Sequence, residues 1–128
     1  MYHKIEMIGY LGRDPEMKFT ANGTPYCHFS VATSRSWGSN GERQEETTWF
    51  TVFVYGNQAE PCAEYLHKGS LVFIEGRMNP DETGNPSLYK RRDGSLGASY
   101  TVTAGNVKFL DRREVREAKQ VADDGLPF

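Results

Sequence analysis

The sequence lacks long apolar runs, a cysteine framework and any marked surplus of one charge. No run of 18 apolar residues occurs in the 128 residues, and the first 13 contain no apolar stretch behind a basic start. We therefore expect neither a membrane span nor a secretory signal. These absences predict a cytoplasmic protein with no membrane partner.

Cysteine and histidine are too few and too scattered to indicate a metal centre. The two cysteines, Cys27 and Cys62, lie in apolar repeats, which predicts buried, reduced thiols. The three histidines, His3, His28 and His67, do not have metal-ligand spacing, and neither a phosphate-cradling Gly-Lys-Ser/Thr loop nor a nucleophile elbow is present. We expect no cofactor, no metal, no catalytic residues and no enzymatic activity.

The charge balance argues against a strongly basic surface. The net charge is −2, and residues 1–110 contain 11 Lys and Arg against 12 Asp and Glu. A duplex-DNA binder usually carries a basic patch or stripe. Any affinity for nucleic acid would therefore come from locally placed cations and from stacking on aromatic rings, which favours single strands.

Short apolar runs separated by Gly, Asn, Asp and Pro predict an all-β protein. The predicted strands cover residues 2–11, 18–33 (interrupted at the Asn22-Gly23 turn signal), 48–55, 71–76 and 98–110. Gly105 predicts a bulge in the last strand. Residues 37–46 are expected to form a polar loop, and residues 88–92 lie in an expected protruding hairpin.

One helix is predicted, over residues 57–68. Asn57 and Glu60 fit a capping box, and Gly69 would end the helix. Five strands with a helix between the third and fourth is the order of an OB-fold, a Greek-key barrel that binds oligonucleotides or oligosaccharides. We expect such a barrel over residues 1–110 and a flexible C-terminal tail, a short charged tether, over residues 111–128.

The third predicted strand has two apolar faces. Phe50, Val52 and Val54 alternate with aromatic residues. If these three point into the barrel, the opposite face is an exposed row of rings on which nucleobases can stack. Rings from the preceding loop and from the hairpin would extend the row. The candidate stacking residues are Trp37, Trp49, Phe53, Tyr55 and Tyr89. The alternatives are that the rings pack against another subunit, or that the two faces are reversed.

Several cations are candidates to contact phosphates. The cluster at residues 90–92 is distinctive because it adjoins Tyr89, so that cations and an aromatic ring interleave. The candidate phosphate-binding residues are Lys4, Arg13, Lys18, Arg35, Lys68, Lys90, Arg91 and Arg92.

The last six residues form an acidic, apolar-ended tip. Gly125 and Pro127 prevent a continuous helix or central strand, so Leu126 and Phe128 have no element of their own to bury them. A partner with an apolar pocket rimmed by Arg or Lys would bury Phe128 and clamp the terminal carboxylate. The alternative is a frayed acidic end. The candidate protein-docking residues are Asp123, Asp124, Leu126, Pro127 and Phe128.

Five segments resemble the bacterial-type single-stranded DNA-binding proteins. They are Gly-Arg-Asp-Pro-Glu (12–16), Ala-Thr-Ser-Arg-Ser-Trp (32–37), the strand from Thr-Trp to Tyr-Gly (48–56), Glu-Tyr-Leu-His-Lys-Gly-Ser (64–70) and Ile-Glu-Gly-Arg (74–77). The resemblance runs over residues 4–110 and the last six. It implies an OB-fold homotetramer that wraps single-stranded DNA at the nucleoid and docks helicases, nucleases, recombination mediators and polymerase subunits through its tip.

The resemblance also implies roles for particular rings. Trp37 and Trp49 match stacking tryptophans of the family, and Tyr55 matches a stacking phenylalanine. A further family tryptophan is missing, and Tyr89 is our substitute for it. Gly125 stands where the usual tip has another acidic residue. As a coil, residues 111–128 would span only about 24 Å, which would keep a docked partner close to the barrel.

We interpret the chain as a sequence-tolerant protein that coats and protects single-stranded DNA during replication, recombination and repair. Two alternatives remain. An OB-fold module for RNA or for a primosome would share the barrel but gives no reason for the acidic, Phe-ended tip. A protein-interaction module without nucleic acid would use the aromatic row as an interface.

Overall fold

The computed structural model describes residues 1–111, which form seven strands and one short α-helix. The elements are β1 (Ile5–Leu11), β2 (Glu16–Phe19), β3 (Pro25–Trp37), β4 (Gln44–Tyr55), α1 (Ala59–Tyr65), β5 (Leu71–Met78), β6 (Ser87–Lys90) and β7 (Leu96–Phe109).

Five of these strands close into a barrel in the order β1-β5-β7-β4-β3. The ring closes where β3 returns to β1, pairing Tyr10 with Ala32 and Leu11 with Val31. β4 and β7 run parallel, and the other pairs are antiparallel. β2 extends the sheet beyond β3, and β6 forms a hairpin with β7. The predicted OB-type barrel, with its helix between the third and fourth barrel strands, is confirmed.

The core follows from strict alternation along the strands. Val52 and Val54 of β4 are fully buried, so the predicted assignment of its two faces is confirmed. Cys27 of β3 and Cys62 of α1 join them in the core, and both are free thiols. Burial raises the pKa of Cys27 to about 11 and that of Cys62 to about 12, so both thiols stay protonated at neutral pH.

The predicted bulge at Gly105 is present. The β5–β7 ladder pairs Glu75 with Asn106 and then Gly76 with Ala104, which leaves Gly105 as the extra residue. A side chain on Gly76 would overlap the backbone of Thr103. The two glycines therefore allow the strands to bend and approach closely at the barrel's corner.

Two differences from the predicted strand bounds concern the face of the barrel. β1 begins at Ile5 rather than at residue 2, and the expected polar loop over residues 37–46 is shorter, residues 38–43, because β3 extends to Trp37 and β4 begins at Gln44 and the ends of the two strands form an arm. Polar cross-strand partners hold this arm together: Arg35 Nε donates to Glu46 Oε1 at 3.0 Å, and the hydroxyls of Ser34 and Thr47 are 2.9 Å apart. An apolar pattern cannot reveal a ladder stabilised by such pairs.

The helix prediction was too long, and its capping box was wrong. α1 has no side-chain cap at its N-terminus. Gln58 instead bridges to β7, donating to the Gly105 carbonyl at 2.9 Å and accepting from the Val107 N–H at 3.2 Å. The helix ends early because the Ser70 hydroxyl accepts the N–H of His67, which folds residues 67–70 into a turn.

The closure of the barrel depends on a glycine in β1. A Cβ on Gly9 would overlap the carbonyl oxygen of Ala32 in β3. We predict that Gly9→Ala lowers the free energy of unfolding by about 1–3 kcal/mol, as expected for overpacking, in urea melts followed by circular dichroism.

The matched control is Gly105→Ala, because a Cβ there meets nothing closer than 3.8 Å. It should change the stability much less. An unchanged urea midpoint for Gly9→Ala would contradict the close approach of β1 and β3.

Candidate nucleic-acid interface

The outward face of β4 carries a row of rings. Trp49 and Tyr55 are 53% and 45% exposed, and Phe53 between them is half-buried. Thr51 separates Trp49 from Phe53 on the same face. Because side chains on one face of a strand recur about every 7 Å, the row presents flat apolar surfaces at a spacing that suits successive bases.

β3 adds two rings that sequence reasoning missed. Tyr26 lies opposite Tyr55 and His28 lies opposite Phe53. The ring centroids are 5.4 Å apart for Tyr26 and Tyr55, 5.7 Å for His28 and Phe53, and 6.4 Å for Phe53 and Tyr55. We call Tyr26, His28, Phe53 and Tyr55 the four-ring cluster. Its rings support one another across the strands, as aromatic pairs do.

Trp49 lies outside the four-ring cluster, at a packing site formed by two small residues. It lies opposite Ala32 of β3. A Cβ on Gly12, in the turn after β1, would lie only 2.5 Å from a carbon of the indole ring. The absence of larger side chains at these two positions lets the indole pack against Gly12 while half of it remains exposed.

A polar gap separates the indole from the four-ring cluster. Thr51 lies there between Ser30 of β3 and Thr101 of β7. A cavity of about 50 Å³ opens beside it, lined in part by Arg13 and His28. The face therefore alternates between stacking surface and hydrogen-bonding groups.

β2 places two opposite charges at the edge of the four-ring cluster. Glu16 pairs in register with His28, and Lys18 with Tyr26. Glu16 Oε2 lies 3.3 Å from His28 Nε2 and 3.9 Å from Lys18 Nζ. Of the candidate cations, Arg13 and Lys18 are the two that the structure brings to this part of the face.

Trp37 does not adjoin Trp49. Ala32 and Trp49 are cross-strand partners whose side chains share one face of the β3–β4 arm. Regular alternation along β3 places Arg35 and Trp37 on the other face. The Arg35 guanidinium lies 4.9 Å from the Trp37 ring centroid, and Arg35 also pairs with Glu46. These residues form their own exposed cation–aromatic pair on the arm.

The β6–β7 hairpin brings Tyr89 to the same side of the sheet as the aromatic row. Tyr89 lies opposite Gly97, which shares its side of β7 with Thr101. The Arg91 guanidinium carbon is 5.6 Å from the Tyr89 ring centroid, and a Cβ on Gly97 would lie 2.6 Å from that ring. Alternation places Lys90 on the opposite side, so the predicted cluster is divided.

The remaining candidate cations lie elsewhere. Lys4 pairs with Glu75 beside β5, and their hydrogen bond raises the pKa of Lys4 and lowers that of Glu75. Lys68 donates its backbone N–H to Asp14 at 2.8 Å, which holds it near the turn that contains Arg13. Arg92 lies in the β6–β7 turn, between the two strands of the hairpin.

The candidate docking tip, residues 123–128, lies outside the described residues. Within residues 1–111, no group of three or more His, Cys, Asp and Glu side chains is placed to hold a metal ion. No helix in that range is long and apolar enough to cross a membrane.

The packing site of Trp49 can be tested without any ligand. In a Trp37→Phe background, Gly12→Ala should push the indole away from the turn after β1, since the new methyl group would overlap it. We expect a shifted tryptophan emission maximum and faster quenching by acrylamide.

Gly105→Ala is again the control and should leave both readings unchanged, because its Cβ has room. Identical emission and quenching for Gly12→Ala and its parent would contradict the packing of Trp49 over Gly12.

Comparison with known proteins gives a consistent result. The model of the single-strand binding protein family matches residues 2–110. Two curated relatives, both named single-stranded DNA-binding protein, come from Neisseria meningitidis serogroups A and B. Each is 37% identical over 124 residues, covering 96% of this chain and 68% of the relative. A solved structure, the Plasmodium falciparum SSB complex with ssDNA, matches the fold with a TM-score of 0.68 and 24% identity over 87% of this chain and 97% of that one.

Proposed function

Because the chain belongs to the single-strand binding protein family, we propose that it binds single-stranded DNA, without catalysis and without strong sequence preference. The bases stack on Trp49 and on the four-ring cluster. The observation that carries this proposal is the continuous outward face of β3 and β4, where five rings point away from a core made by the alternate residues.

Stacking on aromatic rings is consistent with the slightly negative net charge of the protein, −2. Several candidate cations have acidic neighbours: Lys18, on this face, lies near Glu16, and Arg35, on the opposite side of the β3–β4 arm, pairs with Glu46. Rings accept any base through its π-face, so affinity does not require a long basic groove. Arg13 in the polar gap and Arg91 beside Tyr89 are the cations best placed to contact phosphates, and Lys68 and Arg92 lie near them in the turns.

We further propose that copies of the chain assemble, as a homotetramer, through β1. Among the described residues, Ile5–Gly9 pairs with β5 on one edge, and the barrel closes only at Tyr10 and Leu11. Ile8 and Tyr10 on the outward face of β1 are 57% and 59% exposed. An open strand edge beside exposed apolar side chains favours pairing with a second copy. Sedimentation at graded concentrations measures this assembly.

The C-terminal tip is proposed to recruit replication, recombination and repair proteins at the nucleoid, in the cytoplasm. The tail starts at a fixed place, because Asp111 accepts the backbone N–H of Leu71 at 2.8 Å. A pocket for Phe128 with a cationic rim would combine an apolar anchor with a charge-assisted clamp on the carboxylate.

The stacking surfaces give the first functional prediction. Trp49→Ala and Tyr55→Ala should each weaken oligothymidine binding by about 1–3 kcal/mol while leaving the thermal melt nearly unchanged, since both rings are exposed. Tyr65→Ala removes a similarly exposed ring from α1 and should leave binding unchanged. If Trp49→Ala and Tyr55→Ala both fold and bind oligothymidine with full affinity, the aromatic row is better explained as a protein-interaction surface.

Salt dependence tests the hairpin. On single strands the logarithm of the binding constant falls with log salt by about 0.7 per neutralised phosphate. Arg91→Gln should reduce that slope by about this amount. Lys108→Gln should leave the slope unchanged. Lys108 is an exposed cation in the part of β7 that pairs with β5, opposite Phe73. Equal slopes for Arg91→Gln and the parent protein would remove the hairpin from the binding surface.

Removal of residues 126–128 tests the tip. The deletion should leave the melt, the assembly and the oligothymidine affinity nearly unchanged, because the barrel is complete by Phe109. Binding to a purified partner helicase, nuclease or recombination mediator should weaken by about 2 kcal/mol or more, as expected when an anchor and a clamp are lost together. If the full-length and truncated chains bind the partner equally, the docking role is wrong and the tip is a frayed acidic end.

A further inference from the structure

His28 is an ionisable ring within the proposed stacking face. Its centroid lies 5.7 Å from that of Phe53 and 6.3 Å from that of Tyr26. Histidine changes charge in the physiological pH range, whereas its aromatic neighbours here do not. A proton on His28 therefore adds a positive charge in the middle of a surface that otherwise offers apolar rings.

The charged groups around His28 balance one another. Glu16 and Lys18 face it from β2, and Arg13 and Asp14 line the adjoining cavity from the turn after β1. Asp14 also accepts the N–H of Lys68. Two cations thus oppose two carboxylates, so the protonation of His28 decides whether this patch is neutral or positive.

The neighbours of His28 on β4 and on β3 itself carry no fixed charge. On the outward face of β4 its neighbours are Phe53 and Tyr55, and on β3 itself they are Tyr26 and Ser30. α1 packs on the inward side of β3, where Cys62 and Cys27 meet in the core. The net charge of the patch is therefore set by His28 and by the four charged residues of β2 and of the turn after β1.

We propose that His28, as an imidazolium, is a phosphate contact for single-stranded DNA, so that binding takes up a proton and tightens as the pH falls. The proposal rests on the proposed stacking face. A strand stacked on Phe53 and Tyr55 brings its phosphates to the edge where Glu16 lies, 3.3 Å from His28 Nε2. A neutral ring leaves that carboxylate facing the phosphates, whereas a protonated ring placed between the two anions attracts both.

The test measures oligothymidine affinity of the full chain at pH 8.0 and pH 5.5 over a range of salt concentrations, because thymine does not change its charge between these values. We expect binding about tenfold tighter at pH 5.5, the effect of one charge-assisted contact, with a salt slope steeper by about 0.7. Calorimetry in buffers of different ionisation enthalpy should show proton uptake on binding.

Variants of the patch identify the group responsible. His28→Asn should lose the tightening, the steeper slope and the proton uptake. His28→Lys should bind tightly at both pH values. Glu16→Gln should raise the affinity at pH 8.0 by removing the carboxylate from the phosphate path. His3→Asn and His67→Asn remove the other two histidines of the chain and should behave like the parent.

Two results would overturn the proposal, and they are distinguishable from a failure of the stacking face. One is a pH response that survives in His28→Asn. The other is a parent protein that binds equally at both pH values while Trp49→Ala still weakens binding. If neither Trp49→Ala nor Tyr55→Ala weakens binding, the stacking face itself is wrong and this proposal fails with it.

Discussion

The long antiparallel ladder between β3 and β4 determines both the barrel core and its outward face. It pairs Tyr26 with Tyr55 at one end and Trp37 with Gln44 at the other without a break in register. Because alternation along both strands is uninterrupted, one register fixes two surfaces at once: the apolar core beneath and the rings above. A slip by one residue would bury the rings and expose the core, so packing of the barrel also holds the proposed binding face in place.

Glycines then bring the remaining strands close to this ladder. Gly9 lets β1 touch β3, Gly76 lets β5 touch β7, and Gly12 makes room for Trp49. These are close approaches of backbone or ring, where any side chain would overlap a neighbour. Glycines thus serve two purposes: Gly9 and Gly76 allow the barrel to close, and Gly12 allows an exposed indole to lie against the turn after β1.

Much of this could be predicted from the sequence, for physical reasons. Alternation in the third predicted strand separated its two faces. Because both faces are apolar, the sequence left their assignment open, and the burial of Val52 and Val54 decides it. Tyr26 and His28 were missed although they alternate with Cys27, because only the register of β3 against β4 shows which rings meet. Strand pairing and alternation likewise place Lys90 and Arg91 on different sides of the hairpin, and Trp37 and Trp49 on different sides of the arm. Composition alone does not show this.

Ultraviolet cross-linking of oligothymidine to the full chain, with the modified residues found by mass spectrometry, tests the stacking face most directly. We predict cross-links at Trp49 and within the four-ring cluster. We predict none at Tyr65, which is as exposed but lies on α1. Cross-links at Tyr65 with an unmodified β3–β4 face would contradict the proposed stacking face.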